Sequence, residues 1–129
     1  ARRGDAGMSN GKALRVHDYL EHIVLSISRI QRYVTGLDYA VFLANEEKQD
    51  AIIRNLEIIG EAARNIQRFH PDFAAAHPSF PWGSAYGMRN ALAHGYFSVD
   101  LDVVWKTVVN DLPALELQAR AILAETDPF

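Results

Sequence analysis

From Val16 to Val34 the apolar residues Val16, Leu20, Ile23, Ile27, Ile30 and Val34 recur at alternating steps of four and three. A backbone turning 100° per residue puts all six on one side, so the segment from Lys12 to Thr35 predicts an amphipathic helix, with Gly36 placed to stop it. Asp38 to Ala44 reads as a short helical turn. Asn45 then stands as an N-cap before Glu46 and Glu47, whose charges favour a helix amino end, and a second long helix runs to about Phe69. On it Ile52, Leu56, Ile59, Ala63 and Ile66 fall within a sector of roughly 80°. Arg54, Glu57, Glu61, Arg64 and Arg68 fall on the far side. Ile53 and Ile58 flank the core sector, leaving an apolar surface wider than one packing seam needs. A further helix, from this chain or from another subunit, is expected to cover it.

Pro71, Pro78 and Pro81 make residues 70–81 a connection with room for one helical turn. A third helix is predicted from Pro81 or Trp82 to His94, stopped by Gly95. Ser98 or Asp100 then caps a fourth, which carries Leu101, Val104, Trp105 and Val108 on one side. Pro113 forces a kink or restart, with Asp111 as the expected cap of the continuation through Leu112, Leu115, Ala119 and Ile122 to about Glu125. No alternating strand pattern occurs. The expectation is an all-α antiparallel helical bundle over residues 12–129, after a disordered tail or appended remnant of residues 1–11 in which Met8 is placed as a native start.

The chain has 129 residues, enough for one domain with its own core. It has no cysteine, which excludes disulfides, thiolate metal sites and a cysteine nucleophile. No apolar run reaches the roughly 20 residues a bilayer span requires, so a soluble, cytoplasmic protein without membrane contact is expected. The net charge of -3 argues against nonspecific adhesion to nucleic acid, so any RNA contact must be local. His17, His22, His70 and His77 lack metal-ligand spacing and no glycine-rich phosphate loop is present; neither a metal nor another cofactor is expected.

The segment from Met88 to Phe97 sets Arg89, Asn90, His94 and Tyr96 around a predicted helix end. Arg89 offers a permanently charged fork of donors that matches a phosphate and its transition state. His94 titrates near neutrality and can move protons, and at a helix carboxyl end its charged, acidic form is favoured. Such a pair suffices for RNA cleavage without a metal. Residues five apart on a helix are nevertheless separated by roughly 140° and 7.5 Å. Either the helix unwinds before Gly95, or two copies of the motif meet across a twofold axis. Plainer readings stand beside these: a helix-end histidine on last-turn carbonyls, an arginine in a surface ion pair, a packing role for Tyr96. The stripe containing Glu57 and Glu61 is either a solvated face or a wall of the cleft that orients Arg89 or His94. Trp82 and Trp105 read as core or interface residues.

The run from Arg54 through Asn55, Glu57, Gly60 and Glu61 to Ala62, then Pro81-Trp82, then Met88-Arg89-Asn90 through His94-Gly95-Tyr96-Phe97, then Asp100-Leu101-Asp102 with Val104-Trp105, then Asp111-Leu112-Pro113 resembles the HepT-like toxins of the HEPN superfamily. The ordered set covers Val16 to Ala119 and is far more specific than the R-x(4)-H pattern alone. The resemblance implies a helical bundle that dimerises and brings both R-x(4)-H motifs into one cleft as a ribonuclease acting on RNA. It implies Arg89 and His94 as the catalytic pair, with Asn90 in support. It also implies the toxin of a type VII-like toxin-antitoxin system, whose partner, a minimal nucleotidyltransferase antitoxin, silences it by AMPylating Tyr96. The alternative is a noncatalytic nucleotide- or partner-binding subunit of a nucleotidyltransferase complex, which the net acidity favours.

Overall fold

The computed structural model describes residues 13–85 and 99–126. Two long helices dominate it. Helix α1 (Val16–Val34) and helix α3 (Glu46–Phe69) are joined through the short α2 (Tyr39–Leu43). The bond from His70 Nε2 to the Leu14 carbonyl, 2.7 Å, ties the end of α3 to the start of α1, so the two run antiparallel. Leu20, Ile23, Ile27 and Ile30 of α1 and Ile52, Leu56, Ile59, Ala63 and Ile66 of α3 are fully buried, which is the face the spacing predicts. Val16 and Val34, at the ends of the stripe, pack against the same core while half-buried. Burying each large aliphatic side chain contributes about 1.5–3 kcal/mol, so this seam is the main source of stability.

The boundaries follow from local chemistry. Helix α1 starts at Val16 rather than near Lys12 because residues 13–15 are tied elsewhere: Arg15 is extended, and the Leu14 N–H donates to the Tyr19 hydroxyl at 3.0 Å. Past its carboxyl end Gly36 has φ +79, the left-handed conformation that suits glycine. Asp38 caps α2 by accepting from the Val41 N–H, and Asn45 caps α3 by accepting from the Lys48 N–H at 3.0 Å. Helix α4 (Pro71–Ala76) is the one helical turn anticipated after α3, with Pro71 in the first turn where its missing N–H costs nothing.

Residues 82–85 are helical, and the chain continues in described form at Val99. Asp100 caps helix α5 (Leu101–Lys106), its Oδ1 accepting from the N–H groups of Asp102 and Val103; the other predicted cap, Ser98, lies outside the described residues. A π-helical turn (Thr107–Asp111) then leads directly into α6 (Leu112–Ala124). Here the expectation of a capped restart fails. Asp111 is itself in helical conformation and its side chain makes no capping bond. Pro113 lacks an N–H and its ring crowds the carbonyl four residues back, and a widened π turn absorbs both defects without ending the helix.

Helix α6 lies antiparallel along α1, as His17 Nδ1 with Thr126 Oγ1 (2.6 Å) and Gln31 with Glu116 (2.9 Å) mark the two ends of the contact. Ile53, one of the flanking apolar residues of α3, is absorbed by the core of this same chain. Ile58, the other, is half-buried and faces a surface groove. Among the described residues there is no strand, and no helix is long and apolar enough to cross a membrane. The architecture is all-α, as the pattern requires.

Candidate active site

The residues that carry the proposed chemistry, Arg89, Asn90, His94 and Tyr96, lie outside the described residues, as do Gly95 and the predicted third helix beyond residue 85. Both flanks of that segment are anchored to the core. On the amino side Phe80, Trp82 and Ala85 are buried. The Trp82 indole N–H donates to the His77 carbonyl at 3.1 Å, and its ring contacts Phe80 (centroids 4.3 Å apart) and the edge of Phe73. His77 stacks on Phe73 with centroids 4.3 Å apart. The Phe73 carbonyl, first, and the Glu125 carboxylate, second, draw both ring nitrogens into donor roles and raise the His77 pKa. On the carboxyl side Val99 packs on the core and Asp100 fixes α5. Trp105 rests on Phe42 at 5.2 Å, so both tryptophans are packing residues.

Glu57 and Glu61 do share a feature. They lie one turn apart on α3 and line a groove of about 390 Å³ together with Arg54, Ile58 and Asn65 of the same helix and Tyr19 and His22 of α1. Glu57 is half-buried and Glu61 exposed. His22 meets Tyr19 edge to face at 6.4 Å. The groove therefore offers carboxylates, a guanidinium and an imidazole on one surface, a donor and acceptor set suited to a polar ligand. Tyr19 and His22 were not singled out from sequence as part of it. Their membership depends on the antiparallel docking of α1 on α3, which leaves no mark on the spacing within either helix. Further along the stripe the Arg68 guanidinium lies over the ring of Phe69 at 5.1 Å. Among the described residues no group of three or more His, Asp or Glu is arranged to hold a metal ion.

On the opposite side of α3, Leu56 forms the floor of a larger trough of about 780 Å³ between residues 81–85 and the continuous α5–π–α6 helix. Between the two depressions Asn55 is buried. Its amide donates to the Ala51 carbonyl at 2.8 Å, while its Oδ1 is an acceptor without a hydrogen-bond partner among the described residues.

The family model for ribonuclease HepT-like proteins matches residues 23–122. A Thermococcus cleftensis protein named probable ribonuclease HepT is 44% identical over 99 residues, covering 77% of this chain and 87% of that relative. A protein of Caldanaerobacter subterraneus subsp. tengcongensis, named as a candidate RNase, is 36% identical over 105 residues, 81% of this chain and 91% of its own. Another candidate RNase, from Methanocaldococcus jannaschii, is 36% identical over 107 residues, 83% of this chain and 95% of its own. No solved structure matches the chain. Fold and matches together define an all-helical protein of the HEPN type. The chain belongs to the ribonuclease HepT-like family.

Proposed function

We propose that the chain is an endoribonuclease toxin that cleaves RNA without a metal, using Arg89 and His94 in a cleft shared by two copies. The observation that carries this reading is the ordered R-x(4)-H motif inside a family match spanning residues 23–122. In the reaction a base takes the proton of a ribose 2'-hydroxyl, the 2'-oxygen attacks the adjacent phosphorus, and an acid protonates the departing 5'-oxygen. The products are a 2',3'-cyclic phosphate and a 5'-hydroxyl. The two His94 residues of a dimer supply the base and the acid, and Arg89 holds the charge that builds on the phosphoryl oxygens. Asn90 adds a neutral hydrogen bond, and Glu57 and Glu61 orient the cationic groups.

Tyr96, two residues past His94, is the control point. Its hydroxyl attacks the α-phosphorus of ATP on a minimal nucleotidyltransferase, pyrophosphate leaves, and the AMP added brings bulk and negative charge to the phosphate cleft. The experiment is RNA cleavage in EDTA by the chain and by His94→Ala. Cleavage by the first and a loss of about 10²–10⁴-fold in the second are expected; equal rates would sink the reading. Intact mass after incubation with the partner enzyme, ATP and magnesium tests the control point, since AMP additions must vanish in Tyr96→Phe. Growth arrest on expression, abolished by Arg89→Ala, separates a toxin from a binding subunit.

A further inference from the structure

Two histidines, remote in sequence, hold the turn that ends α6. In that turn the Glu125 N–H donates to the Ile122 carbonyl and the Thr126 N–H to the Leu123 carbonyl. His17, in the first turn of α1, meets Thr126 Oγ1 through Nδ1 at 2.6 Å. His77, just past α4, meets Glu125 Oε1 through Nε2 at 3.1 Å.

The two rings differ in the number of protons their contacts require. The Thr126 hydroxyl donates to the Leu123 carbonyl at 2.7 Å, so its one proton is already used and Oγ1 accepts from His17. A neutral imidazole with its proton on Nδ1 satisfies that bond. Glu21, 3.5 Å from Nε2, and Asp18, which Arg15 holds at 3.2 Å, are the charged groups beside His17, and the Thr126 bond needs neither.

His77 has no such freedom. Its Nδ1 faces the Phe73 carbonyl at 3.0 Å and its Nε2 faces the Glu125 carboxylate, two acceptors without a proton to give, so both nitrogens donate and the ring is an imidazolium. Stacking on Phe73 at 4.3 Å holds the ring in this orientation. A neutral His77 keeps the Nδ1 bond to its own turn and points a lone pair from Nε2 at a carboxylate. Among the described residues Glu125, from α6's end, is the charged group that acts on it; Phe73 and Trp82, packed beside it, are uncharged. The Phe73 carbonyl and Glu125 raise its pKa, so both bonds are complete below the ordinary histidine range of ~6.5 and one is lost as pH rises through the raised value.

We propose that the two histidines form a proton-operated clasp on the carboxyl end of α6, in which His17 holds Thr126 at either charge and His77 lets go of Glu125 on losing a proton. Release is local. Glu125 is 62% exposed, so its bond is a screened surface pair, and the packing of α6 on α1 is untouched. The joint that opens lies between α6 and the bend carrying Trp82, the amino-side anchor of the segment with Arg89 and His94. The clasp exists whether or not the chain cleaves RNA.

Carbon- and nitrogen-detected NMR of the whole chain reads both pins. Over about pH 5 to 9 His77 should pass from two N–H groups to Nδ1–H alone, while the His17 Nδ1–H persists. Glu125→Gln should lower the His77 midpoint by about half a pH unit, the size of an exposed ion pair. Either pin suffices to order the last turn, so in the parent chain the helical Cα shifts of Glu125 and Thr126 stay in place across the step. In His17→Ala the same two shifts should move towards random-coil values as His77 loses its proton. Adding Glu125→Gln to that variant should abolish the movement, because a carboxamide accepts from the imidazolium and donates to the neutral ring. A single ring proton on His77 throughout, a last turn in His17→Ala that ignores the charge of His77, or a movement that survives Glu125→Gln would each overturn the proposal.

Discussion

Two depressions lie on opposite sides of one helix and share almost nothing chemically. Leu56 floors the apolar trough, while Glu57 and Arg54 line the polar groove. Successive residues on α3 are 100° apart, so a single step from Leu56 to Glu57 crosses from one surface to the other. The described lining of the trough is mostly aliphatic, with Asn110, Gln118 and two carboxylates among it; the groove mixes carboxylates with a guanidinium and an imidazole. A helix whose burial is fixed by one narrow seam thus carries two flanks of different chemistry.

The comparison can be broken at several points. The largest expected effect is on the seam itself: Ile27→Ala removes a fully buried side chain and should cost about 2–5 kcal/mol in chemical denaturation, disturbing both depressions together. Glu57→Gln and Glu61→Gln test the polar side alone. Each should slow RNA cleavage about tenfold, roughly 1.4 kcal/mol, without shifting the unfolding midpoint. Unchanged rates would reduce the groove to a solvated face. Asp100→Ala removes the cap at one end of the trough and should cost about 1 kcal/mol in denaturant unfolding, with cleavage untouched.

Asn55→Leu replaces a buried amide, whose oxygen has no hydrogen-bond partner among the described residues, by an apolar group of similar volume. It should leave stability unchanged or raise it by about 1 kcal/mol. A clear loss would mean that the amide is held by an interaction the fold requires. The smallest effect is the pH response of His77. Its pKa is raised in the folded chain, so its contribution is complete below the ordinary histidine range of ~6.5 and disappears as pH rises through the raised value. Melting temperatures on the two sides of that window should differ less in His77→Ala than in the parent chain.

How much of this was readable in advance depended on whether a feature is local. The buried stripe of α1 and that of α3 follow from residue spacing, and Asn45 and Asp100 cap helices because their side-chain oxygens reach N–H groups two or three residues on. At Pro113 the restart capped by Asp111 did not materialise, because helical residues on both sides carried the helix through and widened one turn into a π turn. The trough was invisible because Leu56, residues 81–85 and residues 100–118 are remote in sequence. The groove was half visible: Glu57 and Glu61 mark it, but Tyr19 and His22 reach it only by helix packing. Arg89 and His94 stood out as a motif that lies outside the described residues, and their five-residue separation left two routes open, an unwound helix end or a cleft shared by two copies.

The most direct test of the central claim is the chemistry of the cut ends. RNA treated with the chain in EDTA should carry 2',3'-cyclic phosphates and 5'-hydroxyls, and Arg89→Ala or His94→Ala should yield neither. Products ending in 5'-phosphate and 3'-hydroxyl, or the same products from His94→Ala, would contradict it.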